Sequence, residues 1–257
     1  YARFWVQFLY NIGLVPNKEM IWTRVSHGMI LGSNGVKMSK SLGNVINPDD
    51  VVNEYGADAL RTYEMFIGDY SQDAAWSTDS LAGCKRFLDR IYRAGENINN
   101  KNGYTNEVLA HQTIKKVTND ILAQKYNTAV SSLMIMLNEY EKNGSVTKDD
   151  YRLLLTLLNP IAPHITEELN EKYNLGNKIC ESSWPTYVEE KTKDSNYELV
   201  FQVNGKLRGK EIVNADSSKE EIEKLAFENE NVQKFIKEKE IVKVISIPGK
   251  LVNIVVK

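Results

Sequence analysis

The sequence contains few cysteines, histidines and prolines, and these shortages exclude several classes of protein. Its 257 residues include two cysteines, three histidines and six prolines. Because Cys84 and Cys180 lie far apart and no histidine stands at a ligand spacing from either, we predict neither a disulfide framework nor a metal site. No run approaches the roughly 18 consecutive apolar residues of a membrane span. We expect a cytoplasmic protein with reduced thiols and no membrane contact.

Net charge is also small, but its distribution is uneven. A formal charge of −2 gives little support to a nucleic-acid partner, because phosphate binding depends on lysine and arginine. Basic residues nevertheless outnumber acids between Leu81 and Lys125, whereas acids dominate between Glu139 and Glu198. This asymmetry predicts a basic face that could bind RNA despite the near-neutral total.

Periodicity predicts a mainly α chain that closes with a small α/β domain. The aromatic first ten residues are typical of a buried helix that ends near Tyr10, and residues 25–31 are predicted as a strand. Asn47 and Pro48 carry the cap and first-turn signals of a helix start. A second helix is predicted to begin at Gly56, and the residues after it, as far as Ser77, are predicted as a loop.

Apolar residues at helical spacing then predict antiparallel helices that pack as a bundle. They recur in the sets Leu81, Cys84, Leu88, Ile91; Val117, Ile121, Leu122; Val130, Leu133, Leu137; Tyr151, Leu154, Leu158; and Ile165, Leu169. The polar residues 182–196 are typical of a linker. Beyond them, strands are predicted at 198–203, 241–247 and 251–256, with a hairpin turn at Asn204-Gly205 and helices from Ser217 and near Val232.

The segment Lys37-Met38-Ser39-Lys40-Ser41 carries the most specific pattern in the chain. Two lysines three apart on a glycine-rich loop can offer ammonium groups to a triphosphate and stabilise charge that builds on a leaving pyrophosphate. Backbone amides and the hydroxyls of Ser39 and Ser41 can donate further hydrogen bonds. Composition alone favours a solvated surface loop. The predicted strand, loop and helix context favours the phosphate role.

This pentapeptide resembles the signature loop of class I aminoacyl-tRNA synthetases, in which the second lysine, here Lys40, is the principal ATP contact. Residues 44–50 and 55–61 are similar to the segment that follows the signature in the leucyl, isoleucyl, valyl and methionyl subgroup. Further similarity to bacterial leucyl-tRNA synthetases lies in residues 63–68, 75–77, 86–90, 202–208 and 248–255. Leu42 departs from the pattern, because leucyl enzymes often carry a basic residue there.

The resemblance implies a leucine–tRNA ligase, which forms leucyl-adenylate and pyrophosphate from leucine and ATP and then transfers leucine to the tRNA 3′ end. It implies Lys37 and Lys40 as catalytic residues, residues 37–41 as the ATP-binding loop, and ATP as a substrate accompanied by Mg²⁺. Leucine tRNA, ATP and leucine are the implied partners of a monomeric enzyme. The family's His-Ile-Gly-His motif, leucine pocket and editing domain stand upstream of this segment. We therefore expect the chain to be inactive alone.

Three domains follow from the same resemblance. Residues 1–75 are expected to be the end of a Rossmann-type catalytic domain, residues 76–190 a helical anticodon-binding bundle, and residues 195–257 a compact α/β domain that binds tRNA. Asn170 stands where tryptophan is often found, a change expected to cost packing area. For His164 and Glu167, a structural role at a helix start is favoured over tRNA contact.

Two basic surfaces are candidates for RNA contact. The first is a helix face carrying Lys85, Arg86, Arg90 and Arg93. The second consists of Lys206, Arg208 and Lys210, which alternate after the hairpin turn and are therefore predicted to share one face of a strand. The alternatives are a solvated charged face for the first set and an edge strand protected by charge for the second.

Two other functions fit parts of the pattern. A freestanding RNA-binding module would use the bundle and terminal domain and leave the lysine loop without a role, but a first residue within a predicted helix argues against it. An isoleucyl or valyl enzyme would share the signature loop. Those enzymes usually end with zinc-binding or coiled-coil segments, which the metal-poor α/β ending disfavours.

Overall fold

The computed structural model describes residues 1–193, 196–215, 217–237, 239–247 and 249–257. Asp194 and Ser195 of the predicted linker, the boundary at residue 195 and Pro248 of the closing motif lie outside the described residues. Two compact units are present. The helical unit comprises Tyr1–Thr105 and Thr113–Thr186, and the α/β unit comprises Asn106–Gln112 and Tyr187–Lys257. The mainly α fold with a small α/β part is confirmed, and the three domain boundaries stay predictions.

The helical unit is built mainly from α-helices. They are α1 (Ala2–Asn11), α2 (Pro48–Tyr55), α3 (Ala57–Phe66), α4 (Thr78–Ala94), α5 (Glu107–Leu122), α6 (Tyr126–Lys142), α7 (Lys148–Leu158) and α8 (Pro163–Lys172), with the first residues of α5 belonging to the α/β unit. Short turns join the helices from α5 to α8, whereas longer segments lie between α1 and α2 and between α4 and α5. Two short parallel pairs join β1 (Ile30–Leu31) to β2 (Ala74–Ala75) and β3 (Ile98–Asn99) to β4 (Val146–Thr147).

The core of this unit lies between α4, α6 and α7, as the apolar spacing predicts. Cys84, Ile91, Leu133 and Leu154 are completely buried there. A side-chain cap marks the start of α4, where the Oγ atom of Ser77 accepts a hydrogen bond from the backbone N–H of Ser80. Leu122 was predicted on an apolar face and is exposed instead, because it is the last residue of α5.

The first 31 residues depart from the prediction in two ways. Only Ile30–Leu31 of the predicted strand 25–31 is a strand, since the N–H of Met29 donates to the Asp73 carboxylate at 2.7 Å instead of joining a ladder. Gly28 lies against the same turn, where a Cβ atom would sit 2.0 Å from the Gln72 carbonyl oxygen. Helix α1 has the predicted end but no buried residue, so its predicted burial is wrong within the described structure.

The α/β unit places two helices on one face of a four-stranded sheet. The strands are β5 (Asn196–Val203), β6 (Lys206–Asn214), β7 (Ile241–Ile247) and β8 (Leu251–Val256), in the order β6-β5-β8-β7, with β5 and β8 parallel. Helices α9 (Lys219–Glu228) and α10 (Glu230–Ile236) pack on it. The core contains Leu199, Phe201, Ile222, Val232 and Ile254.

Local signals in this unit act as predicted. Asn204 and Gly205 have φ angles of 48° and 76°, the left-handed pair that a two-residue type I′ hairpin requires. Helix α9 begins with a capping box, in which Ser218 accepts from the N–H of Glu221 and the Glu221 carboxylate accepts from the N–H of Ser218. Both features depend on residues within a single turn.

Candidate nucleotide loop and RNA-binding surfaces

The lysine loop leaves the short strand β1 and leads into helix α2. The N–H of Gly32 donates to the Val36 carbonyl at 2.9 Å, which closes the first part of the loop as a tight turn. A 3₁₀ turn follows at Lys40–Leu42, where Ser39 Oγ accepts from the N–H of Leu42 and Gly43 adopts the left-handed conformation at a φ of 63°. The loop is therefore a folded segment with defined ends.

Asn44 is the residue that fastens the two halves of the loop together. Its Oδ1 atom accepts a hydrogen bond from the backbone N–H of Ser39 at 2.8 Å. Its Nδ2 atom donates to the carbonyl oxygens of Val36 and Lys37, each at 3.4 Å. One amide group thus braces the backbone on both sides of Met38. The sequence pattern predicted no role for Asn44, although an asparagine can mimic a backbone turn in this way.

The two lysines of the loop face solvent. Lys37, Lys40 and Ser41 are exposed, whereas Met38 and Ser39 are half-buried. Ser39 Oγ and Ser41 Oγ lie 2.9 Å apart and share a hydrogen bond. Among the described residues, neither lysine forms an ion pair with an acid. The ammonium groups are therefore available to an anionic ligand, on a backbone that Asn44 holds in shape.

Replacing Asn44 with alanine is expected to loosen this loop without unfolding the helical unit. The N–H of Ser39 loses its acceptor, so its hydrogen exchange should accelerate about fivefold, the effect of removing one hydrogen bond of about 1 kcal/mol. Asn53→Ala on the exposed surface of α2 serves as the control and should leave loop exchange unchanged. Equal exchange of Ser39 in Asn44→Ala and the unaltered chain would contradict the bracing role.

His164 and Glu167 make structural contacts, but neither caps the start of α8 as the sequence predicted. His164 Nδ1 lies 2.8 Å from Asp58 Oδ1. The Glu167 carboxylate accepts from the N–H groups of Ile179 at 3.1 Å and Cys180 at 2.7 Å. Burial alone would raise the pKa of Glu167, but these donors hold it below its ordinary value. Residues 55–61 served only for the family resemblance, and no role was predicted for Asp58. The contact between Asp58 and His164 was therefore missed from the sequence.

The basic face of α4 divides into paired and unpaired residues. Lys85 forms an ion pair with Asp89 on the same helix. Arg90 binds Glu141 of α6 through two hydrogen bonds of 2.9 and 2.5 Å, and this contact lowers the pKa of Glu141. Within the described part of the chain Arg86 and Arg93 are exposed and form no ion pair. They line a surface groove with Tyr92 and Met134.

The predicted single cationic face on strand β6 is wrong. A bulge opposite Phe201 and Gln202 shifts the register, so Lys206 lies opposite Val203 whereas Lys210 lies opposite Val200. Directly opposite residues share a face, and Val200 and Val203 point to opposite faces. The extra residue at the bulge reverses the alternation on which the prediction depended.

The three basic residues of β6 accordingly have different environments. Lys206 is exposed beside the hairpin turn. Lys210 Nζ forms an ion pair with Glu198 at 2.8 Å. The guanidinium of Arg208 lies 3.6 Å from the centre of the Phe235 ring on α10, and its buried Nε atom has no hydrogen-bond partner in the described structure. Lys206 is thus the most accessible of the three to a polyanion.

No group of three or more His, Cys, Asp or Glu side chains that could hold a metal ion occurs among the described residues. None of the helices in the described ranges is both long and apolar enough to span a bilayer. Cys84 is buried, and burial raises the pKa of its thiol to about 11, so this cysteine is not a reactive thiolate at neutral pH.

Comparison with known proteins places these features in a family context. Residues 1–77 match the family model "tRNA synthetases class I (I, L, M and V)", and residues 108–224 match "Anticodon-binding domain of tRNA ligase". The chain is 49% identical, over its whole length, to the leucine–tRNA ligase of Alkaliphilus oremlandii strain OhILAs. It covers 32% of that relative, so it spans about a third of the relative's length.

A solved structure of similar fold covers the whole chain. It is the ternary complex of the Agrobacterium radiobacter K84 agnB2 LeuRS with tRNA and LeuAMS, which shares 29% of residues with a TM-score of 0.74. The match covers 100% of this chain and 36% of that one. The match therefore includes both the helical unit and the α/β unit.

Proposed function

Because this chain belongs to the leucine–tRNA ligase family of class I tRNA synthetases, we propose that it provides the lysine loop and RNA-binding surfaces of an enzyme that attaches leucine to tRNA. In the first step a carboxylate oxygen of leucine attacks the α-phosphorus of ATP, and the bond to pyrophosphate breaks as leucyl-adenylate forms. In the second step a hydroxyl at the tRNA 3′ end attacks the leucyl carbonyl carbon, and AMP leaves. This activity is proposed for the whole protein and not for these 257 residues alone. The matched relative is about three times as long as this chain.

The exposed ammonium groups on a braced loop are the observation that carries the ATP role. Lys40 lies in the 3₁₀ turn that Ser39 caps, and Lys37 lies on the other side of the Asn44 brace. Fixed cations lower the energy of a transition state most where negative charge develops, here on the leaving pyrophosphate. Residues 37–43 contain no carboxylate. An accompanying Mg²⁺ would be held by the nucleotide phosphates, and we assign it no step.

These residues alone are proposed not to form leucyl-adenylate. The 257 residues contain no His-Ile-Gly-His sequence, and the lysine loop supplies contacts to only one end of a nucleotide. Holding both reactants in attack geometry provides a large part of such catalysis. Mixing the chain with leucine, ATP and labelled pyrophosphate should therefore give no exchange above background.

Binding to RNA is proposed to use the exposed arginines of α4 in preference to the paired ones. Arg86 and Arg93 border the groove next to Tyr92, and phosphate contacts from such side chains position RNA without reading its sequence. Arg90 is less available because its guanidinium already binds Glu141 and Asn138. In the α/β unit, Lys206 is proposed as a further phosphate contact.

The Arg86→Ala/Arg93→Ala variant is expected to bind a leucine tRNA transcript more weakly than the unaltered chain. Removing one cation that binds a phosphate should reduce the slope of log affinity against log salt by about 0.7 to 0.9, so removing both arginines should reduce it by about 1.5. Fluorescence anisotropy over a salt series measures both the affinity and the slope. Binding to isoleucine tRNA, measured in parallel, tests selectivity for the leucine tRNA.

A matched control removes the same charge elsewhere. Lys142→Ala/Lys178→Ala deletes two lysines whose side chains are 76% and 73% exposed and do not border the α4 groove. If both double variants reduce the salt slope equally, general charge explains binding and the α4 surface has no special role. Absence of binding by the unaltered chain would contradict the proposal that these two units bind RNA on their own.

A further inference from the structure

Helix α3 connects the lysine loop to the end of the helical bundle through two side chains one turn apart. Asp58 Oδ2 accepts a hydrogen bond from the backbone N–H of Ile165 at 2.6 Å, in the first turn of α8. Arg61 Nε donates to the carbonyl oxygen of Ile161 at 2.8 Å, and Arg61 Nη2 donates to that of Pro160 at 3.0 Å. Both side chains reach the junction between α7 and α8.

The contact with Asp58 matters at the start of α8, because this helix has no side-chain cap of its own. Helix α8 has Ala162 as its N-cap, no side-chain cap and no acid in its first turn. Free N–H groups and a partial positive charge at the start of α8 favour an acid there, and Asp58 supplies it from α3. Arg61 binds the carbonyls of Pro160 and Ile161, which belong to the turn between the two helices. The carbonyl of Leu158, the last residue of α7, accepts from the N–H groups of Ile161 and Ala162.

Helix α3 also holds both ends of the lysine loop. After the loop, Asn47 caps α2, and α2 passes through Gly56 directly into α3. Before the loop, strand β1 is held by the N–H of Trp76, which donates to the Leu31 carbonyl at 3.0 Å. The completely buried Tyr63 of α3 packs edge-on against Trp76 at 4.9 Å, and its hydroxyl accepts from the N–H of Ser77 at 2.7 Å.

We propose that α3 is a clamp that positions the lysine loop from the helical bundle, with Asp58 and Arg61 as positioning residues for the ATP step. RNA docked on the bundle would then alter the loop through the α7–α8 junction, so this inference deepens the proposed function and rests on it for the RNA part. Neither residue touches a reacting atom. Both act on the loop through helix α3, which contains them and also Tyr63, the residue that holds the strand pair before the loop.

Hydrogen exchange of the full 257-residue chain tests the clamp without any ligand. Asp58→Ala is expected to accelerate exchange both at residues 159–166 and in the loop at residues 36–44, about 2- to 30-fold, the range typical of coupling mutations. Asp58→Asn keeps an acceptor for the Ile165 N–H and should fall between Asp58→Ala and the unaltered chain. Faster exchange at the junction with an unchanged loop would overturn the proposal.

A control separates the clamp from a general loss of bundle stability. Arg152→Ala disrupts hydrogen bonds at the other end of α8, where Arg152 binds Asn170 at 2.6 Å, and leaves α3 intact. It should accelerate exchange in α8 but not in residues 36–44 under native conditions. If Arg152→Ala and Asp58→Ala loosen the loop equally, α3 has no specific role.

Addition of a leucine tRNA transcript tests the coupling itself. In the unaltered chain RNA binding should change the exchange of residues 36–44, and in Asp58→Ala the same RNA should bind with affinity changed less than about threefold and leave the loop unaffected. RNA that binds without altering the loop of the unaltered chain would overturn the coupling. RNA that fails to bind would contradict the proposed RNA function, while the ligand-free comparison would still decide whether the clamp exists.

Discussion

In the full-length protein that carries this sequence, which we propose to be a leucine–tRNA ligase, replacing Lys40 with alanine is expected to slow leucine-dependent ATP–pyrophosphate exchange about 10²- to 10³-fold. Removing one donor that stabilises developing transition-state charge has an effect of this size. Lys40 is exposed and forms no ion pair among the described residues, so its loss should change the free energy of unfolding by less than about 0.5 kcal/mol. The defect would then be chemical.

Two further variants make that result specific. Lys18→Ala removes another exposed lysine outside the loop and should keep the exchange rate of the unaltered full-length protein. Lys40→Arg keeps the charge but replaces a compact ammonium with a planar fork, so partial recovery is expected. An exchange rate for Lys40→Ala within about threefold of normal would exclude the proposed role of Lys40 at the leaving pyrophosphate.

The lysine loop was predictable because its signal is local, but its rigidity was not. A pentapeptide with two lysines and two hydroxyls predicts a phosphate-binding loop in the context of strand, loop and helix. The brace depends on where Asn44 points, and Asn44 Oδ1 reaches the Ser39 N–H only once the chain has closed on itself. Composition gives the donors of the loop, whereas geometry gives its shape.

The same distinction explains the success and the error in the α/β unit. The Asn204-Gly205 turn and the Ser218–Glu221 capping box were predicted, because each is determined within four residues. The prediction that Lys206, Arg208 and Lys210 share one face was wrong, because a bulge reverses the side-chain alternation after it. The bulge depends on the partner strand. Strand periodicity carries no information about such an insertion.

Hydrogen bonds between residues distant in sequence could not be predicted from the sequence. Asp58 and His164 are 106 positions apart, and Arg61 and Pro160 are 99 apart. A hint was nevertheless present. Residues 159–163 contain no acidic side chain, so the N–H groups at the start of α8 are open to an acid from elsewhere in the fold. The identity of that acid required the fold.

Asn170 shows how a departure from a family pattern can mislead. Its position in place of tryptophan suggested a simple loss of packing area. The side chain is instead 3% exposed and fully engaged: Oδ1 accepts from Arg152 at 2.6 Å, and Nδ2 donates to the carbonyl of Asn177 at 3.1 Å. Asn170 and Arg152 thus form a hydrogen-bonded pair that also binds the Asn177 carbonyl.

Arg152→Ala is therefore expected to lower the free energy of unfolding of the chain by about 3 kcal/mol. The guanidinium donates to Asn170, to the carbonyls of Leu175 and Asn177, and to Ser182 Oγ, at 2.6 to 3.1 Å. Its removal takes the Arg152 donor from Asn170 Oδ1 and from the Leu175 carbonyl, whereas the Asn177 carbonyl still accepts from Asn170 Nδ2. Each acceptor that water does not reach costs about 1 to 3 kcal/mol. The melting temperature should fall by about 6 to 12 °C.

The geometry around Arg152 also predicts which replacements fail. Lysine offers a point charge in place of a fork and cannot serve Asn170 and Ser182 together, so Arg152→Lys should recover less than half of the stability that Arg152→Ala removes. Gly176 lies close against the guanidinium, because a Cβ atom at this position would lie 2.9 Å from Arg152 Nη1. Arg86→Ala, on an exposed surface, should change stability by less than about 0.5 kcal/mol.

A double-mutant cycle decides whether Arg152 and Asn170 act as one unit. If the two side chains act together, Asn170→Ala should lower the free energy of unfolding by at least about 1 kcal/mol less in the Arg152→Ala background than in the unaltered chain. The hydrogen bond between the two side chains is already absent in that background. Additive effects on the free energy of unfolding would mean that each residue merely fills space. Asn170→Trp provides the complementary result: it introduces the residue that the family resemblance led us to expect, yet should destabilise this chain, because Arg152 would then lack one of its four acceptors.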